Sequence, residues 1–324
     1  MANPIDGTGR RALLLGGGGT IGTYVARELL AMGAEVDNVG LEESPITHAR
    51  LRNCKGEVTA AFLEDFLRDR TYDAVVNFLH YPVAETYIAH HVLLAPKTAQ
   101  EVFLSSIRAV GDAVHPVTEE APLVLDLIEQ GAVPDDPHFV QTDDYGLSKG
   151  RCERYLNLVS KARNFTIVRP MISSSARRLD LVLYTFQEVV AYAAEGKTLY
   201  LPEICREKTA GIEWAGNTGK LLSGLLFRKE CLGQTYLLST GHSMTWETVA
   251  QVYGELLGLK YAWIPMEEYA ARGLRCGQAL TYDRAYDRRA DNRKVLAATG
   301  LTAADFTPFK EGIRQELRTL GVQI

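Results

Sequence analysis

The feature that most constrains this chain is a glycine-rich turn between a short apolar segment and an amphipathic one. Arg11–Leu15 is almost entirely apolar, and Thr20–Met32 carries apolar residues at helical spacing. At the junction, Gly16, Gly19 and Gly22 are spaced Gly-x-x-Gly-x-x-Gly. Glycines at a strand-to-helix turn let backbone N–H groups and the helix N-terminus approach a pyrophosphate. The turn therefore predicts nucleotide binding, although four consecutive glycines could also form a loose turn without a ligand.

Strand and helix patterns continue to alternate after this turn. Apolar strand patterns occur at Ala34–Leu41, Tyr72–Leu79 and Glu101–Ser105, and helical patterns at Ala60–Arg68 and Ala84–Leu94. This alternation predicts an α/β fold with a doubly wound, Rossmann-like parallel sheet. In such a sheet, ligands lie at the carboxyl ends of the strands.

The chain has 324 residues, which is long enough for a smaller second lobe. We place the boundary after a strand at Phe165–Val168, because Pro170 cannot continue a ladder of hydrogen bonds. Residues 1–170 are then the dinucleotide-binding domain. Residues 171–324 are mainly a substrate-binding lobe, which could include segments that return to the first domain. Beyond the boundary we expect a helix at Val182–Glu195, a strand at Thr235–Leu238 and a helix at Trp246–Leu257.

Composition argues against several other classes of protein. The net charge of −5 argues against a nucleic-acid surface. No apolar stretch reaches the ~18 residues that span a bilayer and no leader pattern opens the chain, so we expect a cytoplasmic protein with no membrane contact. The five cysteines lack Cys-x-x-Cys spacing. The adjacent His90 and His91 point about 100° apart on a helix, so we expect one core and one surface histidine and no metal site.

A tyrosine and a lysine offer acid/base chemistry. Tyr145 and Lys149 are four residues apart, so on a helix they share a face. An ammonium beside a phenol favours the phenolate, which permits proton transfer near neutral pH. The motif is weak alone, but it follows the glycine-rich turn and an apolar strand that ends in Ser105 and Ser106.

These motifs, followed by Arg169-Pro170, resemble the extended short-chain dehydrogenase/reductases, also called the NAD-dependent epimerase/dehydratase family. The resemblance continues in Val117–Pro122, Gly233–Leu257, Asp291–Lys294 and Phe309–Gly312. It implies an NAD(P)-dependent oxidoreductase or epimerase, and a homodimer as the assembly.

The resemblance also implies roles for individual residues. Tyr145 would be the acid/base, Lys149 would hold the cofactor ribose and tune Tyr145, and Ser106 would hydrogen-bond the reacting oxygen. Ser106 is preferred over Ser105 because the family's serine lies five residues before the glycine that here is Gly111. The implied cofactor-binding residues are Gly16, Gly19, Thr20, Ile21, Gly22, Glu57, Val58, Tyr145 and Lys149.

The choice between NAD and NADP stays open at this point. NAD-preferring members have an aspartate where this chain has Gly40. Arg50 and Arg52 could contact a 2′-phosphate, whereas Glu42 and Glu43 could replace the aspartate. The balance leans slightly to NADP.

Departures from the family bear on the substrate. Dehydratases carry an Asp-Glu pair where this chain has Ile107 and Arg108, so dehydration is not expected. Between Ala109 and Ser148 there is no lysine or arginine, and this charge balance predicts attraction of a cation. The same acids could instead form a solvated loop or a subunit contact, and Arg177 and Arg178 are candidates for a phosphate. The acids are Asp112, Glu119, Glu120, Asp126, Glu129, Asp135, Asp136, Asp143 and Asp144.

The sequence thus leads to three functional hypotheses. The first is a ketoreductase acting on an amino sugar or aminocyclitol, and the second is a nucleotide-sugar epimerase with tightly bound NAD. The third is a nucleotide-binding sensor or scaffold without turnover. The substrate would be a small, sugar-like molecule. The expected substrate-contacting residues are Ser106, His80, Tyr81, Arg108 and Tyr145.

Overall fold

Parallel strands form the centre of the molecule. The computed structural model describes residues 5–132, 145–178, 181–277 and 279–323. Its strands are β1 (Arg11–Leu15), β2 (Glu35–Gly40), β3 (Leu51–Lys55), β4 (Ala74–Asn77), β5 (Glu101–Leu104), β6 (Phe165–Pro170), β7 (Ile172–Ser174), β8 (Thr198–Pro202), β9 (Ile212–Trp214), β10 (Gln234–Leu238) and β11 (Lys260–Ile264). Within the described residues, seven of these strands form one parallel sheet in the order β10-β6-β5-β4-β1-β2-β3. This arrangement confirms the predicted doubly wound α/β fold.

Helices cover the sheet and build the second lobe. They are α1 (Thr20–Ala31), α2 (Ala60–Phe66), α3 (Ala84–Leu94), α4 (Val124–Glu129), α5 (Tyr145–Arg154), α6 (Phe186–Ala194), α7 (Ala215–Ser223), α8 (Trp246–Leu257), α9 (Met266–Ala271), α10 (Arg293–Thr299) and α11 (Phe309–Thr319). Among the described helices, none has the length and hydropathy of a bilayer-spanning segment.

The central strands are apolar because both faces of the sheet are covered. Ala12–Leu15 of β1 and Ala74–Val76 of β4 have no exposed surface. Strand order reverses between these two strands, since β1 pairs with β2 on one side and with β4 on the other. Such a reversal opens a crevice at the carboxyl ends of the strands. The residues that follow β1 and β4 therefore face a common ligand site.

Two strand predictions need correction. The strand β3 was not predicted, because an edge strand with alternating polar residues has no continuous apolar run. The strand β6 also continues through Pro170, which pairs with Leu238 of β10. Proline is tolerated there as the last residue of the strand, and the next N–H, that of Met171, donates to the carbonyl of Leu238 at 3.4 Å.

The chain after residue 170 contributes to both lobes. The pairs β7–β9 and β8–β11 and the helices α6 and α8 enclose a second core around Phe186, Trp246 and Tyr253. In contrast, β10 joins the main sheet, and α7 packs on α1. This packing is close, because a Cβ on Gly219 would lie 2.5 Å from the Cβ of Tyr24. Segments after residue 170 thus return to the cofactor domain, while the boundary itself stays a prediction.

Candidate active site

The glycine-rich turn is tight where it supports the helix and open where a ligand can approach. Gly16 has a φ of +74°, and its N–H donates to the carbonyl of Val39 at 2.7 Å. A Cβ on Gly22 would lie 2.4 Å from the carbonyl oxygen of Gly17, so only glycine allows α1 to start here. A Cβ on Gly19 would meet only the carbonyl oxygen of Gly16 at 4.0 Å. Space is therefore left beside the N-terminus of α1, where backbone N–H groups attract an anion.

A cavity of about 450 Å³ adjoins this turn. Four of the expected cofactor-binding residues line it, namely Gly16, Gly19, Glu57 and Val58. Of the others, Thr20 begins α1 and Gly22 packs on the turn, while Ile21 lines a neighbouring cavity. An open turn, a helix N-terminus and a long cavity with acids at its rim together fit a dinucleotide.

The helix α5 presents Tyr145 and Lys149 on one face. Lys149 is 1% exposed, and its Nζ donates to the carbonyl oxygens of Leu104 at 2.6 Å and Leu79 at 3.0 Å. Burial lowers the pKa of Lys149 to about 8. The Nζ lies 5.6 Å from the ring centre of Tyr145. The ammonium is thus held beside the phenol by two strand ends.

Tyr145 lines a second cavity of about 360 Å³. Burial raises the pKa of its phenol, while Arg178, a hydrogen bond with Ser106 and Arg108 act in the opposite direction. The cavity is lined by Ile21, Leu104, Ser106, Ile107, Arg108, Tyr145, Pro170, Met171, Ile172, Ser173, Arg178, Asp283 and Arg284. Residues from both lobes therefore surround the phenol.

The two adjacent serines differ in environment. Ser105 is fully buried, and its hydroxyl donates to Glu153, whose carboxylate also pairs with Arg169 at 2.7 Å. Ser106 instead lines the cavity of Tyr145, and its Oγ accepts from the N–H of Arg108 at 3.2 Å. Of these two serines, only Ser106 therefore has a hydroxyl that is positioned to contact a substrate at this cavity.

The other expected substrate residues divide between the two cavities. Arg108 lines the cavity of Tyr145, whereas His80 and Tyr81 line the cofactor cavity. The ring of His80 lies 4.9 Å from that of Tyr145, so His80 stands between the two. Tyr81 is 2% exposed, and its hydroxyl is engaged with His90 Nδ1 at 2.9 Å and with Asn77. The hydroxyl of Tyr81 is therefore used within the core, and its contact with the substrate stays a prediction.

The second lobe supplies residues that sequence reasoning missed. Asp283 and Arg284 come from one short helical turn, and both line the cavity of Tyr145. Their carboxylate and guanidinium pair with each other, and Arg288 contacts Asp283 at 3.3 Å from behind. Nothing local in the sequence singles out this Asp-Arg pair, since only tertiary packing brings it to the cavity.

Among the described residues, four acids between Ala109 and Ser148 have partners elsewhere in the fold, and none of the described acids of this segment lines the substrate cavity. Arg154 pairs with Asp126 at 2.5 Å and with Glu129 at 2.6 Å, and Asp112 contacts His115 at 3.0 Å. Glu119 accepts the N–H of Leu237 at 2.9 Å. Asp135, Asp136, Asp143 and Asp144 lie outside the described residues. A count along the chain overlooked partners supplied from elsewhere in the fold.

The arginines expected to favour NADP also lie elsewhere. Arg52 pairs with Asp37 at 3.0 Å, and Arg50 donates to the carbonyl of Leu30 at 2.8 Å. Arg52 precedes Lys55, the register partner of Gly40, by three residues, or about 10 Å of strand. Both arginines therefore sit toward the amino end of the sheet, away from the cofactor cavity, and give no support for NADP.

The two adjacent histidines are both buried, so the expectation of one surface histidine is wrong. Each is 2% exposed, and His91 Nδ1 lies 2.7 Å from Glu101. Among the described residues, no group of three or more histidine, cysteine or acidic side chains could hold a metal ion.

Comparison with known proteins adds the family and the fold. The model of the NAD-dependent epimerase/dehydratase family matches residues 12–201. No curated protein sequence matches the chain. The epimerase Mth375 from Methanothermobacter thermautotrophicus is 15% identical and has a TM-score of 0.76, with 97% of this chain and 93% of that chain covered.

Two further solved structures are similar over nearly their whole length. WbmG from Bordetella bronchiseptica, in complex with NAD and UDP, is 17% identical with a TM-score of 0.70, covering 97% of this chain and 96% of that chain. The UDP-glucose 4-epimerase from Bifidobacterium longum, in complex with NAD⁺ and UDP, is 19% identical with a TM-score of 0.67, covering 94% of this chain and 98% of that chain. At such identities, the likeness shows a shared fold.

Proposed function

Because this chain belongs to the NAD-dependent epimerase/dehydratase family, we propose that it interconverts a hydroxyl and a ketone on a nucleotide-linked sugar. The observation that carries the proposal is the cavity in which Tyr145 and Ser106 meet beside the buried Lys149. The similar proteins from Bordetella and Bifidobacterium are described with NAD and UDP, which supports a cofactor and substrate of these classes.

Ser106, Tyr145 and Lys149 have separate roles in the proposed reaction. Ser106 Oγ donates a hydrogen bond to the reacting oxygen, and Tyr145 Oη gives that oxygen a proton in reduction or takes one in oxidation. The Lys149 ammonium favours the phenolate form of Tyr145 and is placed to bind a ribose hydroxyl. When bound, a nicotinamide dinucleotide would supply or accept the hydride. It would be held by the turn at Gly16 and Gly19 and by the acids at the cavity rim.

The charge of the cavity favours an anionic substrate. Among the described residues, Arg108, Arg178 and Arg284 line it, against one carboxylate, that of Asp283. Such a lining suits a phosphate-bearing sugar better than the amino sugar expected from the acidic segment. We therefore place a nucleotide-sugar substrate before an amino sugar.

Epimerisation is placed before net reduction because an ion pair joins the second lobe to the rim of the cofactor cavity. Arg177 reaches Glu42 at the rim of that cavity at 3.0 Å. A link of this kind would slow the release of a bound cofactor, and an epimerase keeps its cofactor through the reaction cycle.

The decisive experiment uses the purified protein without added cofactor. The nucleotide released on denaturation is identified, and UDP-glucose and UDP-glucuronic acid are each incubated with the protein and examined by NMR for a changed ring carbon. We expect bound NAD and a new epimer, with Tyr145→Phe retaining NAD but giving no product. Net consumption of added NADH or NADPH would favour a reductase, and failure to bind either cofactor would refute the proposal.

A further inference from the structure

Two adjacent arginines of the second lobe serve different cavities. The segment that follows β7 forms a tight turn, in which Ser175 N–H donates to the carbonyl of Arg178 at 2.7 Å and Arg178 N–H donates back at 3.0 Å. Arg178 lines the substrate cavity, whereas Arg177 pairs with Glu42 at the cofactor cavity. The turn thus sends one guanidinium to each site.

This turn is held in place from both sides. The N–H of Ala176 donates to Glu316 at 2.7 Å, and the hydroxyl of Ser175 contacts that of Thr20, the first residue of α1, at 3.4 Å. Ser175 is itself 2% exposed. The position of Arg177 is therefore set by packing against the cofactor domain and the last helix.

Glu42 lies at the cofactor cavity, just beyond the end of β2. It follows Gly40, the last residue of β2, by two positions and lines the cavity with Glu57. Its carbonyl accepts from Asn38 Nδ2 at 3.4 Å and packs against Gly18, where a Cβ would lie 2.4 Å away. In dinucleotide-binding folds, an acid near this position contacts the ribose, while a nearby arginine accommodates a 2′-phosphate.

We propose that Glu42 masks Arg177, so that this ion pair between the two lobes decides the choice between NAD and NADP. With the pair intact, the carboxylate neutralises the guanidinium, so no net positive charge is left to bind a 2′-phosphate, while the second carboxylate oxygen can accept from ribose hydroxyls. Without the carboxylate, the guanidinium is free to bind the phosphate as a charge-assisted, bidentate donor. The inference rests on the proposed use of a nicotinamide dinucleotide.

The test compares dissociation constants for NADH and NADPH, measured by nicotinamide fluorescence. The proteins are the wild type, Glu42→Gln, Arg177→Gln and the double variant. Both side chains are well exposed, at 68% for Glu42 and 40% for Arg177, so the substitutions should leave folding intact. The matched control is Asp73→Asn, whose partner Arg10 lies 2.7 Å away in an ion pair at the amino end of the sheet.

We expect the wild type to bind NADH more tightly than NADPH. Glu42→Gln should tighten NADPH binding about tenfold, and the double variant should lose that gain. Asp73→Asn should change neither constant. The inference is overturned if the wild type prefers NADPH, if Glu42→Gln gives no gain, or if the gain survives in the double variant. A wild type that binds neither cofactor would refute the proposed function instead.

Discussion

At the scale of single residues, two neighbouring serines show how one step along the chain changes a role. Successive side chains at the end of a strand point to opposite sides, so Ser105 and Ser106 enter different environments. Ser105 donates a hydrogen bond to Glu153, which forms a buried ion pair with Arg169, while Ser106 lines the cavity of Tyr145. The same sequence pair therefore holds one structural hydroxyl and one candidate catalytic hydroxyl.

Substitution of each serine should separate the two roles. Ser105→Ala removes a hydrogen bond to a buried carboxylate, so we expect the free energy of unfolding to fall by about 2 kcal/mol. Ser106→Ala should leave the free energy of unfolding nearly unchanged and lower kcat by about 100-fold, because the reacting oxygen loses a donor. Chemical denaturation and steady-state kinetics measure the two effects. The reverse pattern would transfer the proposed role to Ser105.

Lys149 gives a prediction about pH and stability. Its pKa is about 8 in the folded protein because of burial, and about 10.4 in the unfolded chain. Between these values the unfolded state binds more protons, so this group makes the free energy of unfolding rise as the pH rises from about 8 to about 10.4. That gain is lost as the pH falls back over the same range. Denaturation from pH 7 to 10.5 should show the rise in the wild type relative to Lys149→Met. Parallel curves for the two proteins would contradict the lowered pKa.

At the scale of elements, the first helix is packed closely in its first two turns. Its start leaves no room for a Cβ at Gly22, and its contact with α7 leaves none at Gly219. Close approach places the N-terminus of α1 directly against the turn that follows β1. The geometry of the cofactor cavity is therefore a consequence of how this helix packs.

Two glycines of the turn should respond differently to the same substitution. Gly22→Ala forces the helix away from Gly17, so we expect a loss of about 1–3 kcal/mol in the free energy of unfolding together with weaker NAD binding. Gly19→Ala meets open space, so stability should be kept while NAD binding weakens by about tenfold or more. Thermal unfolding and fluorescence titration distinguish them. Unchanged NAD binding in Gly19→Ala would argue against a pyrophosphate at this turn.

At the scale of the whole molecule, one buried carboxylate joins the two lobes. Glu316 of α11 is 4% exposed and accepts from Tyr24 of α1, from Trp214 Nε1 at 2.9 Å and from the N–H of Ala176 at 2.7 Å. These donors belong to the cofactor domain, the second lobe and the turn that carries Arg177. The last helix therefore joins the cofactor domain to the second lobe and to the turn that carries Arg177.

Removal of this charge should loosen the whole arrangement. In Glu316→Gln, an amide N–H₂ replaces one acceptor oxygen, so we expect the free energy of unfolding to fall by about 2 kcal/mol. Release of bound NAD should also become faster. Glu311→Gln, on the same helix but in a partly exposed pair with Arg314, should cost less than about 0.5 kcal/mol. Equal effects of the two substitutions would exclude a clamp at Glu316.

Features that depend on neighbours along the chain could be predicted from the amino-acid sequence alone. Periodicity predicted the doubly wound sheet, glycine spacing predicted the turn at Gly16, and a four-residue interval placed Tyr145 and Lys149 on one face. Such signals are local, because helix and strand periods repeat within a few residues.

The partners of distant side chains could be identified only in the folded structure. In the folded structure, Arg154 pairs with Asp126 and Glu129, and Arg177 pairs with Glu42. Arg50 and Arg52 lie away from the cofactor cavity. The folded structure also revealed β3, whose polar edge position hides it from any apolar pattern. Ion pairs of this kind join residues that are 25 or more positions apart in the chain, and no local period encodes their partners.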